Sequence, residues 1–181
     1  MKIIILTGGT SKRFGYDKST ATINGESLLS FATKNLTELI VVGPTSSVNA
    51  TYIQEEPAFG GPAAAIATAM KFVDTDLVGI FAVDMPFATK LIPTLLKGLV
   101  NDAALPVDSE GIAQPLAGIY KAEPLRKALS EFDDLDGLPV KKIIGKLVID
   151  RIQIEDSDHL MDIDTQEDLK LAIDLHSKFS S

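Results

Sequence analysis

The chain has no cysteine and no tryptophan among its 181 residues, and aromatic residues make up only 6% of it. Without cysteine there is no disulfide and no thiolate metal site. The composition suits a reducing compartment, and we expect the cytoplasm. The few aromatics are scattered, so they form no row of rings on which the bases of a single strand could stack. Positive charge is scarce too: 17 Lys and Arg face 25 Asp and Glu, a net charge of -8. That balance opposes broad attraction to nucleic acid or to an acidic membrane. No apolar run approaches the ~18–20 residues of a membrane span. The one at Met1–Leu6 is shorter than the apolar core of a signal peptide. We therefore expect neither nucleic acid nor membrane as a partner.

What is present is ordinary for a globular protein, with 45% hydrophobic and 23% charged residues. A chain of this length can bury one sizeable core, so a single domain over 1–181 is expected. Short apolar runs at Ile3–Leu6, Leu39–Val42 and Leu77–Val83 read as strands covered on both faces. Tyr52–Gln54 reads as a weaker strand and Ala103–Val107 as a further one. Ile112–Tyr120 is expected to return antiparallel, and Leu147–Ile154 to form an edge. Ala21–Ile23 ends in Asn24-Gly25, a strong tight-turn signal. Helices are expected over Glu26–Leu36, Ala63–Phe72, Thr89–Leu99, Glu123–Phe132 and Pro139–Ile144, with Pro62 at a first helical position. A last helix opens at Thr165, with Asp168 three residues on as in a capping box, and runs to about His176, leaving Ser177–Ser181 frayed. Strands alternating with helices imply a three-layer α/β fold with a mainly parallel sheet and one antiparallel strand.

In such sheets ligands bind beyond the carboxyl ends of the strands. Three polar features fall there: the loop Thr7–Lys18, the loop Glu55–Gly61, and Asp84. The first holds Gly8, Gly9 and Gly15 with Lys12, Arg13 and Lys18. Glycine lets a ligand approach backbone amides closely, and the cations can neutralise an anion lying against them. This is the chemistry of a phosphate cradle, and a nucleoside triphosphate is the ligand we expect in it. The spacing fits neither of two common templates. In a P-loop, Gly-Lys-Ser/Thr runs into a helix, whereas Tyr16-Asp17 separates Gly15 from Lys18 here. The dinucleotide pattern G-x-G-x-x-G fails as well. Asp84 stands at a strand end with Pro86 turning the chain away, which suits a magnesium ion shared with substrate phosphates; the competing role is a helix N-cap.

The run Leu6-Thr7-Gly8-Gly9-Thr10-Ser11-Lys12-Arg13-Phe14-Gly15-Tyr16-Asp17-Lys18 resembles the nucleotidyltransferase signature L-x-G-G-x-S-x-R-(F/M)-G-x-D-K. Within that family it is most similar to the molybdenum cofactor guanylyltransferases. The likeness continues at Gly60–Ala65, Ala82–Phe87 and Asp162–Leu169. It implies a Rossmann-like nucleotidyltransferase fold and transfer of GMP from GTP to the phosphate of molybdopterin, with release of pyrophosphate and dependence on Mg²⁺. It further implies that backbone amides at Gly8, Gly9 and Thr10 hold phosphates, that Arg13 clamps pyrophosphate, and that Lys18 neutralises charge at the α-phosphate. With Asp84 these form the expected catalytic set. Leu6, Thr7, Glu56, Gly61 and Pro62 complete the nucleotide side, and Gln114, Asp162 and Asp164 are assigned to the acceptor side. Asn24, Gly25 and Pro115 are secondary positions. Transient contact with other molybdenum cofactor biosynthesis proteins is a further implication.

Two alternatives stay open. Gly9, and Gly61-Pro62 before the alanine run, resemble a guanine-binding pattern, whereas the paired Asp162 and Asp164 resemble cytidylyltransferase relatives. They could also form a second metal face or a charged helix start. A different small phosphorylated acceptor, or a nucleotide-binding module without turnover, is the other reading. His159 and His176 read as surface or packing residues, and Lys141-Lys142 as a solvated helix face.

Overall fold

The computed structural model describes residues 1–8, 21–56 and 58–179. Its centre is a seven-stranded sheet. In chain order the main strands are β1 (Lys2–Leu6), β4 (Leu39–Val42), β5 (Thr51–Ile53), β6 (Leu77–Ala82), β7 (Ala103–Val107), β8 (Ala117–Lys121) and β9 (Ile149–Gln153). They lie in the order β5-β4-β1-β6-β8-β7-β9. Every pairing is parallel except those of β8 with β6 and β7. A two-stranded ribbon, β2 (Thr22–Ile23) and β3 (Glu26–Ser27), closes through Asn24 and Gly25 at φ 52° and 82°. Two successive positive φ values make the tight turn that the Asn-Gly pair favours.

The helices are α1 (Leu28–Ala32), α2 (Gly61–Met70), α3 (Ile92–Gly98), α4 (Ala122–Ser130), α5 (Val140–Ile144) and α6 (Gln166–Phe179). Alternate residues of a strand face opposite sides, so the apolar strands feed two cores. Ile3, Ile5, Val41, Phe81 and Ile119 pack toward α1, α3 and α6. Ile4, Leu6, Ile40, Ile80 and Tyr120 pack toward α2, α4 and α5. This is the expected three-layer arrangement. No helix among the described residues is long and apolar enough to cross a membrane.

Several boundaries differ from the sequence pattern, each for a local reason. Glu26 and Ser27 pair with the preceding strand, so α1 starts only at Leu28, capped by the Ser27 hydroxyl, which accepts from the Ser30 amide at 3.2 Å. Pro62 is the second residue of α2, not the first. The segment expected as one helix from Thr89 begins as a 3-10 turn over Ala88–Leu91 before Pro93 settles into the first turn of α3. Regular pairing in β8 starts at Ala117; upstream, Val107 and Ala113 share only an isolated bridge. The last helix continues to Phe179, so residues expected to fray are helical there, and Ser180 and Ser181 lie outside the described residues. His176 packs edge-on against Phe31 with centroids 5.1 Å apart, a packing role as expected. Lys141 and Lys142 are exposed.

Candidate active site

The parallel strands finish in register, and their last carbonyls tie down the segments that follow. The Gly43 amide donates to the Ile53 carbonyl at 2.9 Å and the Thr7 amide to the Val42 carbonyl at 3.1 Å. The Val83 amide donates to the Leu6 carbonyl at 3.0 Å, and the Ala82 amide to the Leu116 carbonyl at 2.8 Å. The result is one continuous rim carrying Thr7-Gly8, Gly43, Gln54-Glu55, Asp84 and Gln114–Leu116. Because β8 runs antiparallel, its start, with Gln114 and Pro115, lies at the same rim as the other strands' ends.

The mouth of the glycine loop is fixed by Thr7 and Gly43. The Thr7 hydroxyl donates to the Val42 carbonyl at 2.9 Å. Gly43 has φ 142°, and a Cβ there would stand 1.9 Å from the Thr7 Oγ1. Only glycine leaves room for that hydroxyl, and φ in this region is strained for any side chain. Leu6 is buried and Gly8 exposed. Gly9, Thr10, Arg13 and Lys18 lie outside the described residues.

Facing Gly8 is a carboxylate that the sequence pattern did not single out. Glu55 is buried at 6% exposure, and its Oε1 lies 3.7 Å from where a Gly8 Cβ would stand. The same oxygen accepts from the Phe59 amide at 3.1 Å, and Oε2 accepts from the Gln54 side-chain amide at 2.9 Å. Burial of a carboxylate is tolerated where such donors meet it. Its neighbour Glu56, the residue expected on the nucleotide side, is exposed, and its amide donates to the Thr68 hydroxyl at 3.3 Å. The loop then reaches Gly61 at φ 83° and enters α2.

Asp84, Asp162 and Asp164 come together across the rim. One carboxylate oxygen from each lies within 4.8 Å of the others, with Asp84 and Asp164 half-buried and Asp162 exposed. Two features of the sequence produce this meeting. Ile163 is fully buried and its amide donates to the Asp84 carbonyl at 2.9 Å, which lays the 161–164 segment against the end of β6. Thr165 and Asp168 then start α6 themselves: the Asp168 carboxylate accepts from the amides of Asp164 and Thr165 at 3.1 and 2.7 Å, and the Thr165 hydroxyl accepts from the Asp168 amide at 3.1 Å. Capping is thus served by Thr165 and Asp168. Nor does Asp84 stand at the cap of the turn after β6, where the N-cap position is Phe87. A trio of carboxylate oxygens is a hard donor set of the kind that takes Mg²⁺ alongside phosphate and water.

Gln114 is held by Asp108, whose carboxylate accepts from the Gln114 side-chain amide at 3.0 Å and from the amides of Ile112 and Glu110 at 2.8 and 3.0 Å. The Ile112 amide chiefly keeps the Asp108 carboxyl below the usual carboxylate range. Pro115 is fixed by the buried Tyr120 hydroxyl, which donates to its carbonyl at 2.5 Å. Asn24 and Gly25 are exposed at the ribbon turn.

A mainly parallel three-layer sheet, with Thr7-Gly8 at the end of its first strand and a carboxylate trio on the same rim, is an α/β architecture that binds ligands beyond its strand ends. Residues 3–151 match the family described as the MobA-like NTP transferase domain, and the chain belongs to that family. It is an enzyme of the nucleotidyltransferase class. Among similar proteins, a Bacillus subtilis protein named "Probable molybdenum cofactor guanylyltransferase" is 30% identical over 84% of this chain and 82% of its own length. Molybdopterin-guanine dinucleotide biosynthesis protein A of Archaeoglobus fulgidus shares the fold with a TM-score of 0.77 at 20% identity, covering 98% of this chain and 100% of that one. The 2-C-methyl-D-erythritol 4-phosphate cytidylyltransferase of Thermus thermophilus also shares it, with a TM-score of 0.70 at 18% identity and the same coverage.

Proposed function

We propose that this protein, acting as one domain over 1–181 in the cytoplasm, transfers GMP from GTP to the terminal phosphate of molybdopterin. The observation that carries the reading is the carboxylate trio Asp84, Asp162 and Asp164 on the rim that the glycine loop leaves. The names of the relatives support the donor and the acceptor. An oxygen of the acceptor phosphate attacks the α-phosphorus of GTP, the bond from that phosphorus to the β-phosphate's bridging oxygen breaks, and pyrophosphate leaves with the electron pair. Such a transfer is positioning plus electrostatics, without a protein nucleophile. Asp84, Asp162 and Asp164 would hold Mg²⁺. When bound, the cation supplies neutralisation of phosphate charge.

The chain's own residues do the rest in this reading. Amides at Gly8, Gly9 and Thr10 bind the phosphates, with Leu6 and Thr7 fixing the strand end beneath them. Arg13 holds the departing pyrophosphate and Lys18 balances charge at the α-phosphate. Glu55 offers carboxylate oxygens beside Gly8, and guanine presents adjacent N–H donors on its pairing edge, which a carboxylate accepts. Glu56, Gly61 and Pro62 line the same side, and Gln114 faces the acceptor. Transient contact with other proteins of molybdenum cofactor biosynthesis belongs to the same proposal.

A second reading, cytidylyl transfer to another small phosphorylated acceptor, is favoured by the aspartate pair 162 and 164 and by the shared fold of the cytidylyltransferase. A thermal-shift panel of GTP, CTP, UTP and ATP with Mg²⁺ separates the two, because a ligand that binds only the native state raises its midpoint. GTP giving the largest shift supports guanylyl transfer; CTP giving it supports the second reading.

A further inference from the structure

Phe59 is the most exposed large apolar side chain among the described residues, at 83%. It also has φ 63°, a left-handed conformation that aromatic residues seldom adopt. The ring buries almost nothing, so packing does not repay this strain. Strained backbone of this sort collects at ligand sites, where a bound molecule makes the missing contacts. The strain is held in place: the Phe59 amide donates to Oε1 of Glu55 at 3.1 Å, and that same oxygen lies 3.7 Å from where a Gly8 Cβ would stand. One buried carboxylate therefore couples the exposed aromatic to the mouth of the glycine loop.

We propose that Phe59 covers the face of the bound nucleotide's base, a binding contact beyond the phosphate and metal groups. The inference rests on the nucleotidyl-transfer reading above. A planar base recognised at its edge by a buried acceptor and on its face by an exposed ring uses both kinds of surface it offers. Glu55 and Phe59 supply the two from one short loop, and Phe59 is the part that raises affinity without discriminating strongly among purines.

The absence of tryptophan from the chain gives a direct test. Phe59→Trp places a single indole at the site, whose emission a stacked purine quenches. Titration with GTP and Mg²⁺ should quench it saturably, ATP should quench it at higher concentration, and tripolyphosphate, which lacks a base, should leave it unchanged. Phe59→Gly, which removes ring and strain together, should raise the KM for GTP about tenfold, the scale of one base–aromatic stack, with kcat little altered and the thermal midpoint unchanged or higher. If equilibrium dialysis shows GTP bound to Phe59→Trp while its emission stays flat, the stacking proposal is overturned and the transfer reading stands. An unchanged KM in Phe59→Gly overturns it equally. Failure of the unsubstituted protein to bind any nucleoside triphosphate in dialysis overturns both.

Discussion

The amide of Ile163 donates to the carbonyl of Asp84 at 2.9 Å, joining the end of β6 to the approach to the last helix. Ile163 is 0% exposed, so its side chain anchors the crossing in the core. Its two neighbours, Asp162 and Asp164, then sit beside Asp84. Residues two apart in an extended chain share a face, which is why one buried isoleucine is enough to bring both carboxylates over.

This arrangement predicts a metal-linked stability. At a Mg²⁺ concentration of a hundred times its dissociation constant, the native state should gain about 2.7 kcal/mol. Asp84→Asn, Asp162→Asn and Asp164→Asn should each reduce the gain, seen as a smaller rise of the thermal midpoint with added Mg²⁺. An undiminished rise in all three would place the cation elsewhere.

Gly43→Ala should be costly although alanine is small. The new Cβ meets the Thr7 hydroxyl at 1.9 Å and is forced to φ 142°. Strain and overpacking together should lower stability by about 3 kcal/mol, measured by urea unfolding. Because Thr7 opens the glycine loop, nucleotide affinity should fall as well.

Glu55 separates a structural role from a recognition role. Glu55→Ala strips the Phe59 amide of its acceptor and should destabilise the protein by about 1–3 kcal/mol. Glu55→Gln keeps the size and an acceptor oxygen, so it should cost less stability. Both should narrow the preference for GTP over ATP in competition binding, because each removes the carboxylate proposed above to accept from guanine.

Much of this was legible in the sequence, and the remainder fails for identifiable reasons. The runs Ile3–Leu6, Leu39–Val42 and Leu77–Val83 are apolar on both faces, and only a doubly covered strand accommodates that. Asp84 stood out because it follows such a run directly. Its meeting with Asp162 and Asp164 was not legible, since it depends on where the chain crosses back after β9 (Ile149–Gln153). On sequence those two aspartates fall to the acceptor side, with a metal face and a helix start as other roles; in the structure Thr165 and Asp168 carry the helix start. Adjacent acids look alike in a sequence, so the pattern alone does not set Glu55 apart from Glu56. A two-residue step from Ile53, which packs toward α2, would have pointed inward to Glu55.

Acid should loosen the Asp108 turn. Its carboxyl lies below the usual range, mainly because the Ile112 amide donates to it and also because the Gln114 side chain does. A depressed folded value means that the carboxylate's contribution is fully present above the unfolded value near pH 4 and is lost as pH falls through the folded one. Asp108→Asn should therefore be less stable than the parent at neutral pH, with the gap closing in strong acid, as followed by urea unfolding across pH.

The most direct measurement is pyrophosphate release from GTP and molybdopterin by the parent protein and by Asp84→Asn, each with and without Mg²⁺. Release should require nucleotide, acceptor and Mg²⁺ together, and should fall by at least about 100-fold in Asp84→Asn, in line with losing a main electrostatic group. Undiminished release by Asp84→Asn, or release with CTP in place of GTP, would contradict the account.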